Sequence, residues 1–223
     1  MKHFHGHRER LRQRVLKDGG TGLADYELLE LLLCAFIPRV DVKPIAKELL
    51  QRFGSVSAAL AASPERLMET KGVGETAAAY IRAANLLLQQ AAADQVKDRP
   101  VISNWAALLN YVSARIRHEK TEQARVLYLD RKNRLIADEM AGRGTVDHAP
   151  IYPREIARRA LELSASAVIL VHNHPSGDPT PSRADIELTR DIERALAPFE
   201  IRVHDHLVVG AKETVSMKAK GLI

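Results

Sequence analysis

The spacing of apolar and polar positions divides the chain into a helical first part and a strand-rich second part. From Asp25, or its neighbour as cap, the run through Leu28, Leu29, Leu31, Leu32 and Leu33 predicts a helix that stops before Pro38. A second helix is predicted from about Val42 through Ile45, Leu49 and Leu50, with Gly54 as its C-terminal stop. Ser55 and Ser63-Pro64 carry the N-cap signals of two short helices. Leu67 and Met68 close the second of these, and Lys71-Gly72-Val73-Gly74 form a tight turn. Ala77, Ala78, Ile81 and Leu86 to Leu88 belong to a longer helix. Between Ala91 and Pro100 the apolar periodicity fades. A linker over 93–100 therefore separates an all-α domain over 1–92 from a second domain over 101–223.

The second domain interleaves strands and helices. Ser103 is read as the cap of a helix through Trp105, Leu108, Leu109, Val112 and Ile116. ARVLYLD and RLIADEMA are predicted strands joined by the turn Arg131-Lys132-Asn133 and ended by Gly142 and Gly144. Tyr152-Pro153-Arg154-Glu155 starts a helix through Ile156, Ala160 and Leu163. Val168 to Val171 reads as a buried strand closed by a Pro/Gly-rich turn. A helix from Ser182 to about Leu196 follows, then two strand-like runs, IRVHDH and LVVG. Such an order predicts an α/β sandwich.

With 46% hydrophobic residues over 223 positions, real cores are affordable. The formal charge of +5 and pI near 9.4 permit contact with nucleic acid without demanding it. Residues 1–20 carry six Lys/Arg against two acids, with Arg8, Arg10, Arg12 and Arg14 at every second position. On a helix these spread around the axis, so a solvated helix is the default reading and a phosphate-seeking arm the sharper one. His3, His5 and His7 are set aside as a site, because flexible termini seldom build one. Cys34 is the only cysteine and lies in the apolar run LLLCAF, which excludes an intrachain disulfide and favours a packing thiol. The opening MKHFHGHRER lacks a signal-peptide core, and Leu28 to Ile37 is too short and interrupted to span a bilayer, so a cytoplasmic protein without membrane contact is expected. Oligomeric state is not legible.

Candidate chemistry concentrates in HNHPSGDPTPSRAD, residues 172–185. On a strand His172 and His174 project one way and Asn173 the other. Ser182 as N-cap places Asp185 in the first helical turn, from which its carboxylate can return to the histidine pair. Two imidazoles and a carboxylate would hold Zn²⁺ with one tetrahedral position open, the arrangement of a catalytic site. Singly, each residue has a plainer role, including Ser182-x-x-Asp185 as a variant capping box. His204, Asp205 and His206 form a second cluster, in which the two histidines also obey the i, i+2 rule. A second metal site is conceivable there, but support of the first ligands by hydrogen bonds from Asp205 or His206 is the better reading. A base for the metal water must come from elsewhere: Glu122 just before one predicted strand, or Glu139 late in the next. Spacing alone does not choose between them.

The motif HNHPSGDPTPSRAD resembles the JAMM (MPN+) metalloprotease signature, His-x-His-Pro followed by Ser-x-x-Asp, and more closely its bacterial RadC-like (UPF0758) branch. The resemblance covers nearly the whole chain. It implies an α/β JAMM sandwich, with His172, His174 and Asp185 binding zinc. Glu122, in the pattern Glu-x-x-x-Val-Leu-x-Leu, would be the base that serves a zinc-activated water, and Ser182 would donate to the oxyanion. The implied activity is hydrolysis of peptide or isopeptide bonds in a peptide or protein substrate. The segment ERLMETKGVGETAAAYIRAANLL similarly resembles a helix-hairpin-helix module, whose glycines, here Gly72 and Gly74, let backbone N–H groups approach a DNA phosphate. The alternative function is therefore a DNA-binding protein of repair or recombination, with the basic N-terminal segment assisting and a metal site that acts on nucleic acid or is not proteolytic.

Overall fold

The computed structural model describes residues 4–144 and 151–223. It divides into two compact units, 1–88 and 89–223.

The first unit is all helical, with α1 (Phe4–Asp18), α2 (Asp25–Phe36), α3 (Lys43–Phe53), α4 (Val56–Ala61), α5 (Pro64–Met68) and the start of α6 (Glu75–Val96). Ala24 caps α2, Gly54 ends α3 at φ +83°, and the Ser55 hydroxyl accepts from Ala58 N–H to start α4. One core joins Leu29, Leu33, Ile45, Leu49, Leu67 and Ile81 from successive helices. The hairpin turn packs into that core. Gly72 sits at φ +91°, and a Cβ there would meet Ile45 Cδ1 at 2.7 Å, so the fold itself requires glycine. Cys34 packs against the same core, and burial pushes its thiol pKa up.

The basic N-terminal segment is less available than its sequence suggests. Arg8 donates to the carbonyls of Ile37 and Val40, Arg12 pairs with Glu9, and Arg14 pairs with Glu27 and donates to Gly22. His7 Nε2 lies 3.0 Å from the buried carboxylate of Glu30. His3 and the side chain of His5 fall outside the described residues.

The expected linker over 93–100 is corrected in part. Helix α6 continues through Val96, and Val96 and Val101 are both buried in the core of the second unit. Two anchoring valines are too few to make a periodic pattern, which is why the stretch reads as a linker. Ser103 likewise sits inside a short 3₁₀ turn, Ile102–Asn104, and α7 (Trp105–Ile116) begins after it.

The second unit is a five-stranded mixed sheet between helices. Its strands are β1 (Gln123–Leu129), β2 (Leu135–Arg143), β3 (Ala167–Asn173), β4 (Arg202–Val209) and β5 (Thr214–Ser216), in spatial order β2-β1-β3-β4-β5. β3 and β4 are parallel and linked through α9 (Arg183–Leu196); the other neighbours are antiparallel. Ile169 and Val171 of β3 share one core with α7, while Val168 and Leu170 share the other with α8 (Pro153–Glu162) and α9. Central β3 is buried at every position, as its continuous apolar run requires. The runs IRVHDH and LVVG are one strand rather than two. A register shift pairs Val168 with Val203 but Ile169 with Asp205, leaving His204 as the extra residue of a bulge.

Candidate metal centre

His172 and His174 stand at the C-terminal end of β3, and Asp185 in the first turn of α9. Alternation sends both imidazoles to the face on which α9 packs. Ser182 caps α9: its hydroxyl accepts from Asp185 N–H at 3.2 Å, while Asp185 Oδ2 accepts from Ser182 N–H at 2.7 Å. That reciprocal cap turns the carboxylate back towards β3. The Pro/Gly loop between the ligands lies against Gly210 so closely that a Cβ there would stand 2.6 Å from Gly177 O.

Ligating atoms of His172, His174 and Asp185 lie within 4.8 Å of one another. The two Nε2 atoms are 2.9 Å apart, with Asp185 Oδ1 3.4 Å from His172 Nε2 and Oδ2 3.6 Å from His174 Nε2. The hydrogen-bond network assigns the protons. His174 Nδ1 lies 2.7 Å from the Asp178 carbonyl, which can only accept, so Nδ1 carries the hydrogen. Thr189 Oγ1 donates to the Asp185 carbonyl at 2.6 Å and therefore accepts from His206 Nδ1, also at 2.6 Å. His206 Nε2 is left with a lone pair and accepts from His172 Nδ1 at 2.7 Å. Both ligand histidines thus aim Nε2 lone pairs at the carboxylate, a donor set that fits a divalent cation.

The electrostatics agree. Burial drives the His206 imidazole well below its usual range and keeps it neutral, as the relay needs. The hydrogen bond that a protonated His174 would make to Asp185 raises its pKa, against burial, with help from the Asp178 carbonyl and the charges of Asp185 and Glu122. Burial opposes ionisation of Asp185, yet the adjoining imidazoles of His172 and His174 and the Ser182 hydroxyl hold its carboxyl far below the usual range.

The β1–β3 ladder begins at Ala124 with His172, two residues after Glu122, and the charge of Glu122 acts on His174. Glu139 pairs with Val126, two strands from β3 and two residues back from the His172 row, roughly 12 Å away. Its carboxylate is bound by Arg159, with Nε 2.9 Å from Oε2. His204 Nε2 donates to Asn133 Oδ1 at 2.7 Å, away from the cluster. Asp205 accepts from the N–H groups of His206 and Lys218 and anchors the C-terminal turn. Among the described residues no other cluster has metal-ligand geometry. Sequence reasoning passed over Thr189, although its position four residues after Asp185 on one helix face is a usable signal.

Residues 102–222 match the RadC-like JAB domain, and residues 4–79 match the UPF0758 N-terminal family. The chain belongs to the UPF0758 family and carries a RadC-like JAB domain. It is 54% identical over 213 residues to a UPF0758 protein of Rhodobacter capsulatus, covering 96% of this chain and 100% of that one. A UPF0758 protein of Ruegeria pomeroyi is 52% identical over 217 residues, 97% of each chain. The helical first unit followed by a JAB domain with a mixed sheet is the architecture expected from the motifs. No helix among the described residues is long and apolar enough to cross a membrane.

Proposed function

We propose that the RadC-like JAB domain is a zinc-dependent hydrolase of peptide or isopeptide bonds, acting in the cytoplasm on a peptide or protein substrate. One observation carries the reading: the lone pairs of His172 Nε2 and His174 Nε2 converge on the Asp185 carboxylate, with both Nδ1 hydrogens committed elsewhere. Three such ligands leave a coordination position open, as in catalytic rather than structural zinc sites. Bound there, zinc would polarise a scissile carbonyl and make a water nucleophilic near neutral pH.

The chain's own groups do the rest. Glu122 takes a proton from the attacking water on its carboxylate and delivers it to the leaving amine nitrogen. Its charge acts on His174, which supports this role over Glu139, whose charge Arg159 already engages. Ser182 Oγ, which donates to Asp185 Oδ2 at 2.7 Å, would with zinc held by His172, His174 and Asp185 be the hydroxyl that donates to the oxyanion. His206 and Thr189 hold the His172 ring in its ligating tautomer. A single three-ligand cluster with one proton shuttle suits an amide, whose leaving amine needs a proton. Phosphodiester cleavage commonly uses paired metals. The test is a screen of linear peptides, isopeptide conjugates and branched DNA with the zinc-loaded chain. Turnover of an amide substrate supports the reading, and cleavage of DNA alone overturns it.

A second reading concerns the helical unit. We propose that its hairpin contacts DNA phosphate, as in proteins of repair or recombination, with exposed Arg10 of the basic segment assisting. The observation in favour is Gly74, where a Cβ would meet nothing within 4 Å, so packing does not explain the glycine.

A further inference from the structure

Asn173 stands between the two ligand histidines, on the opposite face of β3. It is 1% exposed. Its Oδ1 accepts from the backbone N–H of Gln123 at 2.8 Å, and its Nδ2 donates to the carbonyls of Glu119 at 3.2 Å and Thr121 at 3.3 Å. All three partners belong to one segment, 119–123, and two of them are the immediate neighbours of Glu122. The Glu122 carbonyl is held in turn, accepting from Gly144 N–H at 3.0 Å. The backbone of Glu122 is therefore fastened before, at and after the residue.

These contacts lie beyond the backbone ladder, whose first β1–β3 pair is Ala124 with His172. A side chain at 173 has to supply one acceptor and two donors to reach them. Only a side-chain amide offers that set: Asp brings no donor, and Ser a single one on a shorter arm. Losing it would leave backbone polar groups in a buried place without partners.

We propose that Asn173 is a positioning residue that holds the 119–123 segment so that the Glu122 carboxylate faces the histidine pair. One strand then builds both halves of the centre, presenting ligands on one face and placing the base from the other. The catalytic consequence rests on the hydrolase reading; the clamp itself does not.

The experiment compares wild type, Asn173→Ala, Asn173→Asp, Glu122→Gln and the Asn173→Ala/Glu122→Gln double variant in the full chain. Zinc content, amide hydrogen exchange over 119–123, and kcat and KM on a quenched isopeptide joining a glycine carboxyl to lysine Nζ are measured on each. Asn173→Ala is expected to keep wild-type zinc and to speed exchange of the Gln123 amide by at least about tenfold. Its kcat should fall about a hundredfold, the cost of a base displaced by an ångström, with KM within about twofold. In the Glu122→Gln background Asn173→Ala should cost nothing more. Should Asn173→Ala fail to fold, Asn173→Asp, which keeps the acceptor for Gln123 and loses both donors, should still lose kcat without losing zinc. Unchanged Gln123 exchange, loss of zinc, or an equal fall in kcat with and without Glu122 overturns the proposal. A wild type that cleaves no isopeptide or peptide sinks the hydrolase reading instead, and the exchange measurement still decides whether Asn173 holds the segment.

Discussion

His172 Nδ1 and His206 Nε2 lie 2.7 Å apart between two buried rings, and this contact fixes which nitrogen of His172 faces the metal ligands. His206 can accept only because its other nitrogen donates to Thr189, which donates in turn to the Asp185 carbonyl. The relay thus starts at one ligand and ends on the backbone of another. Its members are linked in one direction, so reversing any tautomer breaks at least one bond.

His206→Ala should lower zinc affinity roughly 10- to 100-fold without abolishing stoichiometric binding at saturating metal, as measured by competition with a chromophoric chelator. Thr189→Val, which removes the acceptor for His206, should act in the same direction. His204→Ala should leave affinity unchanged, because the bulge has turned His204 to Asn133. Complete loss of stoichiometric zinc in either histidine variant would show that the ligand assignment is wrong.

Proton competition should shape the pH dependence of zinc binding. His174 is raised by Asp185, and the charges facing it are those of Asp185 and Glu122. In the metal-free protein the protonated ring is therefore more stable than that of an unperturbed histidine. That contribution to stability is full below the unfolded pKa, about 6.5, and is lost as pH rises through the higher folded value. Zinc must displace this proton. Retention measured by equilibrium dialysis should accordingly weaken at a higher pH than an unperturbed histidine would give, and Glu122→Gln should move the loss to lower pH.

Gly72 and Gly74 should separate cleanly. Gly72→Ala forces a side chain to φ +91° and into Ile45, so thermal denaturation should reveal a loss of at least about 1 kcal/mol. Gly74→Ala meets no neighbour and should leave stability within about 0.5 kcal/mol. If the hairpin binds DNA, Gly74→Ala should weaken that binding, and the wild-type affinity should fall steeply with salt. Salt-insensitive binding, or none, would leave the hairpin as packing alone.

Much of this was legible in the sequence, because local chemistry dictates it. Ser182 three residues before Asp185 announces a reciprocal cap, and the apolar run Val168 to Val171 announces a central strand. What escaped depends on pairing between distant segments. The three-residue β5 has no periodicity of its own and exists because Leu207 to Val209 offer it an edge. Thr189 and Asn173 look like an ordinary helix residue and the spacer of a His-x-His motif until β4 and the 119–123 segment are laid beside them. Spacing left Glu122 and Glu139 open and the resemblance chose Glu122; the register adds that Glu139 pairs with Val126, two strands from β3.

The central claim is tested most directly by measuring zinc content and amide hydrolysis together on wild type and Glu122→Gln. The account predicts about one zinc in both proteins, turnover in the first and a loss of roughly 10²- to 10⁴-fold in the second. Full hydrolysis by Glu122→Gln, or hydrolysis by a wild type stripped of metal, would contradict it.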